Sequence, residues 1–144
     1  GCEALLDAVR QRMPLGPRYY PADQVSDLYE RYIAEELIRE QLLLLLEQEV
    51  PHALAVVVDD FDERTQDRLQ ISATIYADKE SHKGIIIGKG GAMLKRVGTQ
   101  ARVELERFFE RPVRLHLWVK VRPNWRRNPR ALREFGYGMS DQDQ

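Results

Sequence analysis

The segment Lys83-Gly84-Ile85-Ile86-Ile87-Gly88-Lys89-Gly90-Gly91 constrains this chain more than any other stretch, because it sets a charged glycine turn between two segments of helical apolar spacing. Without a Cβ, Gly88, Gly90 and Gly91 admit positive φ and present bare amide N–H groups. Gly91 and Ala92 then open a new helix whose positive end faces the same spot, so the natural guest is an anion. A nucleotide-binding P-loop, Gly-x-x-x-x-Gly-Lys-Ser/Thr, is excluded. Gly84 and Gly88 enclose three residues instead of four, and Gly90 stands where the Mg²⁺-binding hydroxyl belongs.

The distribution of charge fits a nucleic-acid partner although the total does not. The net charge of -1 conceals a split: residues 1–82 carry 8 Lys/Arg against 17 Asp/Glu, residues 83–133 carry 14 against 3, and residues 134–144 carry 0 against 3. A basic block that begins at the glycine turn is what phosphate neutralisation requires. A merely solvated surface would mix the two signs.

A length of 144 residues suits one domain with an added segment. The single cysteine, Cys2, has no internal partner, as expected of a reducing cytoplasm. The apolar runs, Leu42–Leu46 among them, are far too short to span a membrane. Residues 3–13 read as a short helix, and the Pro14–Pro21 stretch as a linker leaving an upstream domain. Asp27 and Glu30 resemble a capping box opening a helix to about Glu49, with a stripe of Leu28, Tyr32, Ile33, Leu37, Leu42 and Leu45. The all-apolar Leu42–Leu46 run implies burial on several sides or a docking surface.

Ala53–Val58 reads as a buried strand, Asp59–Asp67 as an acidic hairpin loop, and Leu69–Ala77 as an alternating strand. After the glycine turn a helix reaches about Glu110 and stops at Arg111-Pro112. In Val113–Val121, odd positions are apolar and Arg114, His116, Trp118 and Lys120 alternate with them, so helices must cover the apolar side. The order helix, strand, strand, short helix, Gly-x-x-Gly, helix, strand resembles a type II KH domain over residues 25–122. The expected fold is α+β, two layers, with a three-stranded sheet covered by helices on one face. KH domains clamp the backbone of about four nucleotides at that loop and hold bases in an adjoining apolar groove.

Longer segments narrow the resemblance. Pro14-x-Gly16-Pro17-x-Tyr19-Tyr20-Pro21, Glu49-Val50-Pro51-His52, the turn continued through Ala92-Met93-Leu94-Lys95, Gly98-Thr99-Gln100-Ala101-Arg102 and Trp118-Val119-Lys120-Val121-Arg122-x-x-Trp125-Arg126 are together similar to the C-terminal part of the Era family of ribosome-assembly GTPases. The resemblance implies that residues 1–24 are the end of an upstream GTPase domain plus linker, and 123–144 a basic extension with an acidic, disordered tail. It implies as partners the 3′ end of 16S rRNA, the small ribosomal subunit and the upstream domain, with peripheral membrane association of the full-length protein. GTP and Mg²⁺ would belong to the upstream domain. No P-loop and no Asn-Lys-x-Asp occurs in this chain, so no cofactor and no catalysis are expected of these residues.

The physics of the residues assigns the contacts. Amides around Gly88, Lys89, Gly90 and Gly91 would meet phosphates, with Lys83 and Lys89 adding charge. Ile85, Ile86 and Ile87 cannot all point inward, so Ile86 or Ile87 is expected to floor the base groove. Lys95, Arg96 and Arg102 lie within reach of the same strand, or form a solvated helix face. In the tail, Trp125, Arg126 and Arg127 combine an aromatic ring with cations, as single-strand binders do, while Leu132 and Phe135 are expected to pack. His52, His82 and His116 are scattered without metal-ligand spacing, and Asp59, Asp60, Asp62 and Glu63 lack a calcium-loop pattern. The competing reading is a protein-interaction module that docks through the leucine-rich helix.

Overall fold

The computed structural model describes residues 8, 12, 26–47, 50–64 and 67–137, with the backbone alone at 26–28 and at Pro51. Apart from Ala8 and Arg12, the expected helix 3–13 lies outside the described residues, as do the Pro14–Pro21 linker, the side chain of the expected Asp27 cap and the acidic end of the tail.

Helix α1 (Ser26–Leu45) packs through Ala34, Ile38 and Leu42, and the line continues to Leu46 just beyond its end. Four-residue spacing keeps these on one face. The stripe expected through Tyr32 is therefore rotated: Tyr32 points to solvent, as do Leu43 and Leu44 of the leucine run. A 3-10 turn (Val50–Ala53) leads into β1 (Leu54–Asp62), which pairs antiparallel with β2 (Leu69–Ala77). Strand β3 (Val113–Val121) lies parallel to β2, giving the order β1-β2-β3.

Strand β1 runs four residues beyond the expected Val58 end, at the expense of the acidic loop. A bulge between Val58 and Asp60 explains how. Leu54, Val56 and Val58 face the helices, and the inserted residue shifts the parity so that Phe61 also turns inward. Its ring meets Phe109 edge-on, with centroids 5.7 Å apart. Three carboxylates of the segment are engaged rather than merely solvated. Asp59 accepts from the Thr74 hydroxyl at 2.6 Å, Glu63 pairs with Arg111, and three hydrogen bonds from Arg64, two from its guanidinium and one from its backbone N–H, hold the Asp62 carboxyl down at about 2.

Helix α2 (Glu80–Ile87), the glycine turn and helix α3 (Ala92–Phe109) follow, and α1 and α3 cover the inner face of the sheet. On that face Leu69, Ile71, Ala73, Ile75 and Ala77 of β2 are buried with Val97, Ala101 and Leu105 of α3. The architecture is the expected two-layer α+β. The outer face is not bare, however. After Val121 the chain folds back through a 3-10 turn (Trp125–Arg127) and helix α4 (Pro129–Glu134), which Asn128 caps by accepting from the N–H groups of Arg130 and Ala131. Trp125, Ala131 and Phe135 pack there on Ala55, Val57 and Tyr76.

Candidate nucleic-acid interface

The turn between α2 and α3 is built by glycines that differ in what demands them. Gly88 closes α2 by donating to the Gly84 carbonyl at 2.9 Å. Its φ of 72° and ψ of 176° fall in a region essentially reserved for glycine, and an added Cβ would lie 2.7 Å from the Met93 Cβ. Gly90 (φ 60°, ψ 23°) and Gly91 (φ 78°, ψ 9°) are left-handed, yet nothing stands within 4 Å of where their Cβ atoms would be. The packing side of the turn is thus filled at Gly88, and the opposite side is open at Gly90 and Gly91. Helix α3 begins there with no side-chain cap and no acidic residue in its first turn, so its positive dipole end faces the open side of the turn, while the amides of Gly91 and Ala92 donate within the turn to the carbonyls of Gly88 and Lys89.

From the turn a cleft of about 470 Å³ runs between α3 and β3. Leu94, Gly98, Leu115 and Leu117 give it an apolar floor, and Lys95, Thr99 and Arg102 a polar rim. Gly98 keeps it wide, since a Cβ at that position would already touch Leu117 at 3.6 Å. Strand β3 is an edge, so half of its backbone groups point away from β2. The N–H of Val113 is one of these, because it donates to Glu106 of α3 at 3.1 Å. By the two-residue period of a strand, the N–H and C=O groups of Leu115, Leu117 and Val119 point the same way, into the cleft. The site therefore joins a phosphate-sized nest, a cationic rim, an apolar floor and a row of backbone donors and acceptors of the kind that reads base edges.

The structure brings together Gly88, Lys89, Gly90, Gly91, Lys95 and Arg102, of which Gly91, Lys95 and Arg102 line the cleft. Lys83 and Arg96 reach solvent on α2 and α3 without lining it. Two expected contacts are corrected. Ile86 is fully buried in the core beneath the sheet-covering helices, and Ile87 is half-buried, whereas Ile85 is the exposed member of the three. Trp125 is 4 % exposed and donates its indole N–H to the Ala53 carbonyl at 3.3 Å, so it holds the outer face and offers no stacking ring. Arg126, beside it, donates to Asp78 at 3.2 Å and to the His52 carbonyl at 3.4 Å. Arg127 is exposed on the same segment. Sequence reasoning treated Leu94, Leu115 and Leu117 only as core and passed over Gly98. A glycine in mid-helix facing an alternating strand was the signal of a widened groove.

Comparison with known proteins agrees with this geometry. A family model for the KH domain matches residues 49–126. The chain is 50% identical over 141 residues to the GTPase Era of Caldicellulosiruptor saccharolyticus and to that of Lactobacillus helveticus. It spans about half of the length of these curated relatives, 47% in each case, while the matches take in 97% and 98% of this chain. Among solved structures it is similar to Aquifex aeolicus Era bound to GDP and aluminium fluoride, with a TM-score of 0.79 and 40% identity, covering 96% of this chain and 46% of that one. It is equally similar, with a TM-score of 0.78 and 40% identity over 96% of this chain and 46% of the other, to Era in complex with MgGDPNP and nucleotides 1506–1542 of 16S ribosomal RNA. The chain belongs to the KH domain family, and its likeness is to the C-terminal KH part of Era GTPases.

Proposed function

We propose that this chain binds single-stranded RNA in the cleft between α3 and β3, that its target is the 3′ end of 16S rRNA, and that it is the RNA-binding part of an Era-type GTPase acting in small-subunit assembly. The observation that carries the reading is the conjunction of an uncapped, glycine-bared helix start with an open strand edge across one groove. Phosphates bind at Gly88–Gly91 and Lys89, the rim cations Lys95 and Arg102 follow the backbone, and bases lie on Leu94, Leu115 and Leu117 with their edges toward β3. The relative solved with nucleotides 1506–1542 of 16S rRNA supports the choice of target. Nucleotide hydrolysis, GTP and Mg²⁺ belong, on this reading, to the upstream domain, and the chain acts in the cytoplasm where ribosomes assemble. No described helix is long and apolar enough to cross a membrane.

The test is a titration of the chain with an RNA ending in the small-subunit 3′ sequence and with an unrelated RNA of equal length, at one salt concentration, with and without GTP. The ribosomal sequence should bind more tightly and GTP should change nothing. Raising salt should weaken both, with a log-log slope of about -0.7 per phosphate contacted. Equal affinities would reduce the interaction to charge attraction, and a GTP effect would require a nucleotide site in these residues.

A further inference from the structure

The groove does not end where the cleft does. A second depression of about 570 Å³ shares Arg102 and Leu115 with it and continues past Arg68 to Arg114 and His116. Arg102 and Leu115 belong to the inner side of β3, whereas Arg114 and His116 belong to its outer side, so the depression wraps the edge of the strand. Asp67 and Glu106 also border it; Glu106 accepts from the Val113 N–H and is balanced by Arg102 at 3.9 Å.

On the outer face the row continues with Trp118 and Lys120, all four outer residues of β3 being exposed and none being acidic. Trp118 is 60 % exposed, although Trp125 and Phe135 of the returning tail bury the neighbouring β1–β2 part of the same face. Its cross-strand neighbour Thr74 is buried and turns its hydroxyl toward Asp59. A large ring kept open at the end of a continuous cationic path fits a nucleobase.

We infer that an RNA strand longer than the groove leaves it at Arg102, crosses the edge of β3 between Arg68 and Arg114, and stacks a base on Trp118 with Lys120 at its phosphates. The inference rests on the strand occupying the groove as proposed above. The occupant is the continuation of that same strand: the two depressions share Arg102 and Leu115, and Arg68, Arg102 and Arg114 outnumber the two carboxylates on the way, as a polyanion requires. Neighbouring outer residues of β3 stand roughly 6.6 Å apart, so Arg114, His116 and Trp118 meet successive positions along an extended strand.

The experiment compares Trp118→Ala and Trp118→Tyr with the wild-type chain, using two RNAs with the same groove-binding sequence. One is about four nucleotides long, enough for the clamp, and the other about twelve. For the longer RNA, Trp118→Ala should weaken binding about 10-fold, or about 1.4 kcal/mol, and Trp118→Tyr should restore most of it. For the short RNA all three proteins should bind alike, with unchanged melting temperatures. Unaltered binding of the longer RNA by Trp118→Ala would overturn the inference and give the face to a protein partner. An equal loss on both RNAs would overturn it too, by placing the ring's effect in the groove, and so would a loss accompanied by a lowered melting temperature that Trp118→Tyr repairs. If the wild-type chain bound neither RNA, the reading of the groove itself would fail, an outcome distinct from failure at Trp118 alone.

Discussion

The two edges of the sheet are finished in opposite ways. Along β1 the chain supplies its own partners: the Glu35 carboxylate accepts from the Val58 N–H at 2.9 Å, Arg31 reaches the Val58 carbonyl at 3.5 Å, and at the entry to the strand Trp125 and Arg126 take the carbonyls of Ala53 and His52. Along β3, among the described residues, only the first outward amide, that of Val113, has such a partner, and a groove with cations on its rim follows. An unpaired edge is a liability that proteins usually cover. Covering one edge and leaving the other next to a phosphate nest turns that liability into a binding device, because the groups that would pair with a neighbouring strand are free to pair with bases. The same division appears in the glycines, with Gly88 locked against Met93 and Gly90 facing open space.

Substitutions at the two edges should therefore separate stability from RNA binding. The largest expected effect is at the closed edge. Trp125→Ala removes a buried indole and its bond to Ala53, and should lower stability by about 3 kcal/mol in chemical denaturation while leaving RNA affinity unchanged once the protein is folded. A loss of affinity in the folded variant would instead restore Trp125 to the interface.

The converse is expected at the open edge. Gly98→Leu places a side chain in the cleft against Leu117 and should weaken RNA binding about 10-fold. Its melting temperature should hold or rise, since leaving glycine in mid-helix gains roughly 0.5–1 kcal/mol. Unimpaired binding would show that the cleft is not the path of the bases.

The smallest effect concerns pH at the closed edge. Burial is the main cause that raises the Glu35 carboxyl above its ordinary value of 4.5, with the Val58 bond opposing it. A carboxyl that holds its proton more tightly when folded favours folding below that ordinary value and loses this contribution as pH rises through the raised value. At neutral pH the buried charge is a cost. Glu35→Gln keeps an oxygen for Val58 and removes that cost, so its melting temperature should exceed that of the wild type at pH 7 and the difference should close as the pH falls below 4.5. A variant less stable at pH 7 would mean that the charge itself secures the edge.

Much of this division was legible in the sequence. The alternation from Val113 to Val121 gave the limits and both faces of β3, because nothing interrupts its period. The glycine turn announced itself because three positive φ angles in four residues favour glycine, at Gly88 almost exclusively. Three features were hidden, each for a different reason. The bulge at Asp59 carries carboxylates that locally favour a loop, and the strand survives there because Phe61 gains Phe109 as a partner. Trp125 sits among arginines in sequence, but its burial depends on Ala53, 72 residues away. The phase of Ile85, Ile86 and Ile87 is set by how α2 rolls against the sheet, which three identical side chains cannot reveal.

The most direct measurement of the central claim is the affinity of Gly90→Asp for the ribosomal 3′-end RNA, set beside its melting curve. Space is open at Gly90 and aspartate tolerates left-handed angles better than most residues, so the fold should persist with a melting temperature only slightly lowered. A carboxylate in the nest would face the phosphate that the turn is built to hold, and binding should fall by at least about 100-fold. A folded Gly90→Asp that binds this RNA as tightly as the wild-type chain would contradict the account, because the glycine turn would then not be the clamp.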